Sequence, residues 1–381
     1  MKKAAGLTRL NRELGGKRLE LPKGLLIPII SLSTKRKRNR KEKKRMKDIY
    51  RRNNFVSGVV ILTLATCLSF SPGLARAQKT FRLRVGIIPI TEMLTIYVAA
   101  DKEYFAQEGL EVEMISMAGG AVILPALLGG SIDIAYSNLV SVILANAEGN
   151  PLKIIIHNKS EDSTKAPNAP GGYKGGSAIM VRANSDIRSA KDLEGRNFAV
   201  NTLYGINWLF AQEWMRMGGT DPAKAKWSEV PFPNMEAVLD AGKVDAITAA
   251  DPTLTVLKTT GRGKILDYYF SKVKPNVMVA SFIAAEKWIK EQPELVQKFV
   301  RAMSRAIEYA NTHENEWPTI LAKHLKIDLA LLEKMEGGHR FEAKVNMEHL
   351  EWYVNLMLRR GLLKKTIEPR TLVYTAGRDL K

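Results

Sequence analysis

The chain has 381 residues, 58 of them Lys or Arg and 39 Asp or Glu, for a net charge of +19. Such a balance would suggest nucleic acid or an anionic surface, but residues 1–54 carry 19 basic against 4 acidic side chains, and the 304 residues from Gln78 onward net only +3. The single cysteine, Cys67, also lies upstream of that body, which excludes disulfides, a thiolate nucleophile and cysteine-bound metal from it.

The N-terminus reads as an address. Arg51-Arg52-Asn53-Asn54 precedes an apolar run over 55–70 and then Ser71-Pro72-Gly73-Leu74-Ala75-Arg76-Ala77-Gln78. A basic segment, a short apolar segment and a small-x-small site make up a secretory signal peptide, here 46–77 with cleavage after Ala77. The 16 apolar-dominated residues fall short of the roughly 20 that a membrane span needs. A retained anchor and a lipid attachment at Cys67 are the lesser alternatives, Thr66 being a poor fit before such a cysteine. Starting at Met46 gives an ordinary n-region, so 1–45 reads as a basic extension produced by a gene-start artefact. Its densest run, 35–45, has no interleaved aromatic residues and no folded binding module follows it, so nucleic acid is not an expected partner.

From Phe81 the pattern alternates. A strand over 81–89 leads to a helix over 96–107, with Gly109 placed as its C-terminal glycine, and to an alternating strand over 110–117. The rhythm repeats as helix 121–128, strand 132–136, helix 140–147 and strand 152–157. This alternation predicts an α/β fold with largely parallel sheets. Residues 159–177 are rich in Ser, Pro and Gly and read as a long loop or a boundary. A strand over 178–182 resumes the pattern, which runs to about 269. From Pro293, suited to a first helical turn, the chain becomes mostly helical. Leu295, Phe299, Met303 and Ile307 form a core-facing stripe there.

One echo links the two halves. Leu127-x-x-Gly130-x-Ile132-Asp133 recurs 112 residues later as Leu239-x-x-Gly242-x-Val244-Asp245. In both, a glycine permits the positive φ that ends a helix before a short buried strand. The echo predicts two lobes on one plan, with crossings near 177–182 and 277–285. That gives a discontinuous first lobe (78–178 and 285–381) around a second (179–284).

The run Leu83-Arg84-Val85-Gly86-Ile87, then Ala100-Asp101-Lys102-Glu103-Tyr104-Phe105-Ala106-Gln107-Glu108-Gly109-Leu110-Glu111-Val112, resembles the opening of solute-binding proteins of ABC importers, in the nitrate/sulfonate/taurine and thiamine-pyrimidine group. Residues 127–135, Ala190-Lys191-Asp192-Leu193-Glu194-Gly195-Arg196 and Ala250-Asp251-Pro252 match that group in order and spacing. The resemblance covers about 82–310. It implies a type II periplasmic-binding-protein fold, two α/β lobes with a hinge and a ligand cleft between them. It further implies a periplasmic location, an inner-membrane ABC permease with its ATPase as partner, a small-molecule solute as ligand and a monomeric protein.

In such a fold ligands meet strand C-termini and helix N-termini. The candidates are Thr91 and Glu92 after the first strand, Gly120 and Ala121 at a helix start where bare N–H groups favour an anion, Ser137 and Asn138, and Asn158. From the second lobe come Thr202, Tyr204, Gly205 and Asp251. Thr202 could instead cap a helix, and Tyr204 with Trp208 could form an aromatic wall. No lysine or arginine sits in these loops. Glu92 and Asp251, if they face the cleft, favour a solute carrying an amine or other donor over a bare anion. That tilts the reading from nitrate toward an amino-sulfonate or a pyrimidine-like solute. Motifs of hydrolases and phosphate-binding enzymes are missing, and the five histidines show no close metal-ligand pair. No cofactor, metal or catalysis is expected. A ligand-sensing module for a membrane receptor is the alternative function, and a pyrimidine-forming enzyme a minor one.

Overall fold

A computed structural model describes residues 80–162, 176–335 and 339–375. The expected signal peptide and Met46 start, Cys67 and most of the Ser/Pro/Gly-rich stretch lie outside the described residues.

Two mixed sheets organise the body. The first contains β1 (Phe81–Ile87), β2 (Leu110–Ser116), β3 (Ile134–Asn138), β4 (Leu152–Glu161), β10 (Met278–Ala285) and β11 (His339–Phe341), ordered β11-β4-β10-β3-β1-β2. The second contains β5 (Ser177–Arg182), β6 (Asn197–Val200), β7 (Lys226–Glu229), β8 (Ala246–Ala250) and β9 (Gly263–Asp267), ordered β7-β6-β8-β5-β9. β1 runs parallel to β2 and β3, as β6 does to β7 and β8. β10 is antiparallel to β3 and β4, and β5 to β8 and β9. The expectation of largely parallel sheets is therefore corrected. β5 and β10, the strands that arrive from the other lobe, both run antiparallel to their neighbours, so crossing the hinge reverses strand direction; the edge strand β11 is also antiparallel to β4.

The two sheets share one construction, and the echo marks its corresponding points. Gly130 (φ 73°) and Gly242 (φ 68°) both take the left-handed conformation that a side chain disfavours. Asp133 then binds the middle of β1, its N–H donating to Arg84 O and its carboxylate accepting from Arg84 N. Asp245 does the same to Asn197 at the start of β6. The lobe boundaries differ from the expected ones. β10 lies inside the first sheet, so the second crossing precedes Met278, and all of β5 belongs to the second sheet. Apolar strands drew the expected boundaries into themselves, whereas the crossings fall in the segments between strands.

Helices cover the sheets. α1 (Leu94–Asp101) ends earlier than expected, because Glu103 turns to φ 57° before a short helical turn resumes at Tyr104–Gln107. α2 (Gly120–Leu128) and α3 (Leu139–Ala147) begin one residue before their expected starts, and α4 (Ile206–Met217) stands in the second lobe. α5 (Pro293–Thr312) begins on its proline and buries Leu295, Phe299, Met303 and Ile307, each contributing about 1.5–3 kcal/mol relative to exposure. Phe299 meets Phe105 and Phe282, with ring centroids 5.7 and 5.4 Å away. The C-terminal helix α6 (Met347–Arg359) also reaches the second lobe. Trp352 and Tyr353 pack on Phe210, and Arg360 forms a forked pair with Glu213 at 2.6 and 2.7 Å. Among the described residues no helix is long and apolar enough to cross a membrane.

Candidate functional site

A cavity of about 40 Å³ lies between the lobes. The first lobe supplies Ile88, Ile90, Glu92, Tyr136, Ser137 and Asn138, together with Val279 and Ala280 of β10. The second supplies Ser177, Asn201, Ile206, Asn207, Phe232 and Ala250. These positions are strand ends and the first turns after them, because apolar strands must turn polar where they leave the sheet. The space is far below the several hundred Å³ of an ordinary ligand pocket.

Among the described residues Glu92 is the one charged side chain on that wall. Its Oε2 accepts from the Tyr136 hydroxyl at 2.5 Å, and its Oε1 lies 3.4 Å from Lys159 Nζ. Lys159 sits behind it on β4 with no exposure and donates at 2.7 Å to Glu161, which is equally buried. Burial alone would push the Lys159 ammonium down, but Glu161 and then Glu92 outweigh burial and hold it above its ordinary value. Burial, and then Glu92, push the Tyr136 phenol well up, so it stays a donor.

Ser137 and Asn138 end β3 rather than follow it. Ser137 Oγ is buried and has no hydrogen-bond partner. A hydroxyl shut away unpaired is costly, and this one is on the cavity wall. Asn138 Oδ1 accepts from Ser141 N at 3.0 Å and from Ile206 N at 3.2 Å. One amide oxygen thus caps α3 in its own lobe and α4 in the other. Beside it, Asn207 donates to Asn201 at 2.7 Å and accepts from Tyr269 at 2.6 Å.

The other expected residues stand elsewhere. Thr91 is buried, its hydroxyl paired with His339 Nε2 at 2.7 Å and its N–H donating to Asp251 O. Asp251 caps the helix Thr253–Thr259, accepting from the Thr255 N–H and hydroxyl at 3.0 and 2.6 Å. Asn158 lies within β4, accepting from Thr95 and donating to Glu92 O. None of these three side chains lines the cavity. Thr202 Oγ1 is buried without a partner, and Gly205 rather than Thr202 is the N-cap of α4. Gly119 (φ 151°) precedes Gly120 and Ala121 at the start of α2 and faces Thr202. A Cβ at Gly119 would come within 3.8 Å of that hydroxyl. Tyr204 is 58% exposed, its ring 4.8 Å from Trp208, and neither lines the cavity.

The sequence reading missed Lys159 and Glu161. The expected strand ends at His157 and the expected Ser/Pro/Gly-rich loop takes in Lys159, but β4 continues through His157-Asn158-Lys159-Ser160-Glu161. All five are buried in β4, where His157 pairs with Ser281 and Ser160. The available signal was opposite charges two residues apart, which share one face of a strand. Among the described residues no group of three His, Cys, Asp or Glu side chains is placed to hold a metal ion.

Two sheets of one plan around a polar interlobe cavity define a two-lobed binding fold, and the comparisons with known proteins agree. The NMT1-like family profile matches residues 76–323, well over half of the sequence, and the chain belongs to that family. It is 26% identical over 266 residues to the riboflavin-binding protein RibY of Chloroflexus aurantiacus, spanning 66% of this chain and 72% of that one. With the formylaminopyrimidine-binding protein of Halalkalibacterium halodurans it shares 24% identity over 297 residues, or 73% and 84% of the two chains. Among solved structures, the alkanesulfonate-binding protein SsuA from Xanthomonas axonopodis pv. citri, bound to MOPS, superposes with a TM-score of 0.65 at 17% identity, covering 77% of this chain and 98% of that one. The fold is the type II periplasmic-binding-protein fold, two α/β lobes with a hinge and a ligand cleft between them.

Proposed function

We propose that the protein is a periplasmic solute receptor. It captures a small polar organic molecule, sulfonate/taurine-like or pyrimidine-like, by closing its lobes, and delivers it unchanged to an inner-membrane ABC permease. One observation carries this reading: the interlobe cavity is lined both by an unpartnered buried hydroxyl, Ser137 Oγ, and by the Glu92 carboxylate. Such a pair is stable when a solute completes it. The relatives named for riboflavin and for formylaminopyrimidine support a heterocyclic solute, and the apolar walls from Ile88, Ile206 and Phe232 suit a flat ring. Closure buries the solute, and hinge motion of this kind presents a distinct closed surface to a partner.

The test is a thermal-shift screen of residues 78–381, refolded to strip bound solute, against nitrate, taurine, alkyl- and arylsulfonates, pyrimidines, flavins and carboxylates. At 100 to 1,000 times its Kd a true ligand stabilises by roughly 3–4 kcal/mol, which raises Tm by about 5–10 °C in a body of this size. Ser137→Ala should weaken the hit by about 0.5–1.5 kcal/mol without lowering the Tm of the free protein. Recovery of chemically altered solute after release would replace binding by catalysis. A folded protein silent across the panel would overturn the reading.

A further inference from the structure

Lys159 is the only cation near Glu92 among the described residues, and it is shared unequally. Its Nζ lies 2.7 Å from Glu161 and 3.4 Å from Glu92. Glu161 stands on the same strand two residues away and cannot leave, since both side chains are fully buried. The two histidines of this region, His157 and His339, are held at about pKa 3, chiefly by burial, and so add no positive charge at neutral pH. Glu92 has a second neighbour in Tyr136, which supplies one neutral hydrogen bond. Its open side faces the cavity, where no Lys, Arg or His lines the wall among the described residues. A carboxylate this deeply placed demands compensation, and among the described residues it receives only a share of one ammonium.

We infer that Glu92 is the specificity-determining residue of the site, that Lys159 and Glu161 position and under-compensate it, and that its missing partner is an ammonium, amidinium or amino N–H on the solute. This rests on the solute-receptor reading and narrows it. A carboxylate with an open lone pair rewards a donor and rejects an isostere that lacks one. Glu161 thereby acts at a distance: by drawing Lys159 away it keeps the charge at the cavity wall negative.

Matched probes test this in the intact body. Taurine is compared with ethanesulfonate, and 4-aminopyrimidine with 4-methylpyrimidine; if the broader screen finds another solute, that solute is compared with its analogue lacking the N–H donor. The amino member of the pair that binds should be roughly 10- to 100-fold tighter. Glu92→Gln should bring the two members within a few-fold of each other. Glu161→Gln should release Lys159 toward Glu92 and shrink the ratio while leaving some binding, an effect that a merely structural residue would not have on a ratio. The wild-type ratio decides the matter even if a variant fails to fold. A donor-free member or a bare anion such as nitrate binding as tightly as its amino counterpart overturns this inference and leaves the receptor reading standing. No binding by any compound to folded protein overturns both.

Discussion

His157 and His339 show what burial does to single residues here. Burial, helped by the charge of Lys159, pushes both down to about 3 from 6.5. Both are neutral when folded, so between pH 6.5 and 3 the unfolded chain binds protons that the folded chain does not. Stability present above pH 6.5 is therefore lost as the pH falls. From pH 7 to pH 5 the loss should be about 2 kcal/mol per histidine. Urea titrations at the two pH values measure it, and His157→Gln should remove about half of the difference; an unchanged slope would refute the assignment. Legibility at this scale followed polarity. Glu92 was visible because it follows an apolar strand, and Ser137 and Asn138 because they end one. Asn207 was not, since it lies inside a helix with nothing local to mark it, and Lys159 and Glu161 were hidden because buried ions cannot be told from loop ions until their partners are placed. Thr91, Asn158 and Asp251 have the right position along the chain, but their side chains are engaged in internal bonds.

At the level of elements, Asn138 joins the first turns of α3 and α4. An N-cap lost to alanine costs about 1 kcal/mol, and here the same change frees the start of a helix in the other lobe. Asn138→Ala should destabilise by about 1–2 kcal/mol and shift the free protein toward an open form, seen as a larger radius of gyration in solution scattering. If stability falls while the scattering profile is unchanged, the cap acts only on its own helix. Most elements were readable from periodicity, α2 and α3 to within one residue at their starts. The glycine echo was readable for a firmer reason: a positive φ is a backbone demand that tertiary contacts cannot relax. Strand direction was not readable, because alternation reports which elements follow one another and not where the chain crosses.

For the whole molecule, the lobes touch at more places than the two chain crossings. The forked pair of Arg360 with Glu213 and the packing of Trp352 on Phe210 tie the last helix to the second lobe. The C-terminal helix thus bridges the two lobes.

The place of β10 inside the first sheet also sets an order of events in time. The second sheet is drawn from one unbroken stretch, β5 to β9, and can form from contacts close in sequence. The first sheet waits for a strand that arrives only after the whole second sheet has been made, so β3 and β4 keep open edges until then. Closing the longer loop is slower. Pulse-labelled hydrogen exchange during refolding should protect β6 and β8 before β3 and β4, and the reverse order would refute this. In a chain made from its N-terminus the first lobe therefore cannot complete its sheet until β10 (Met278–Ala285) has followed the whole second sheet.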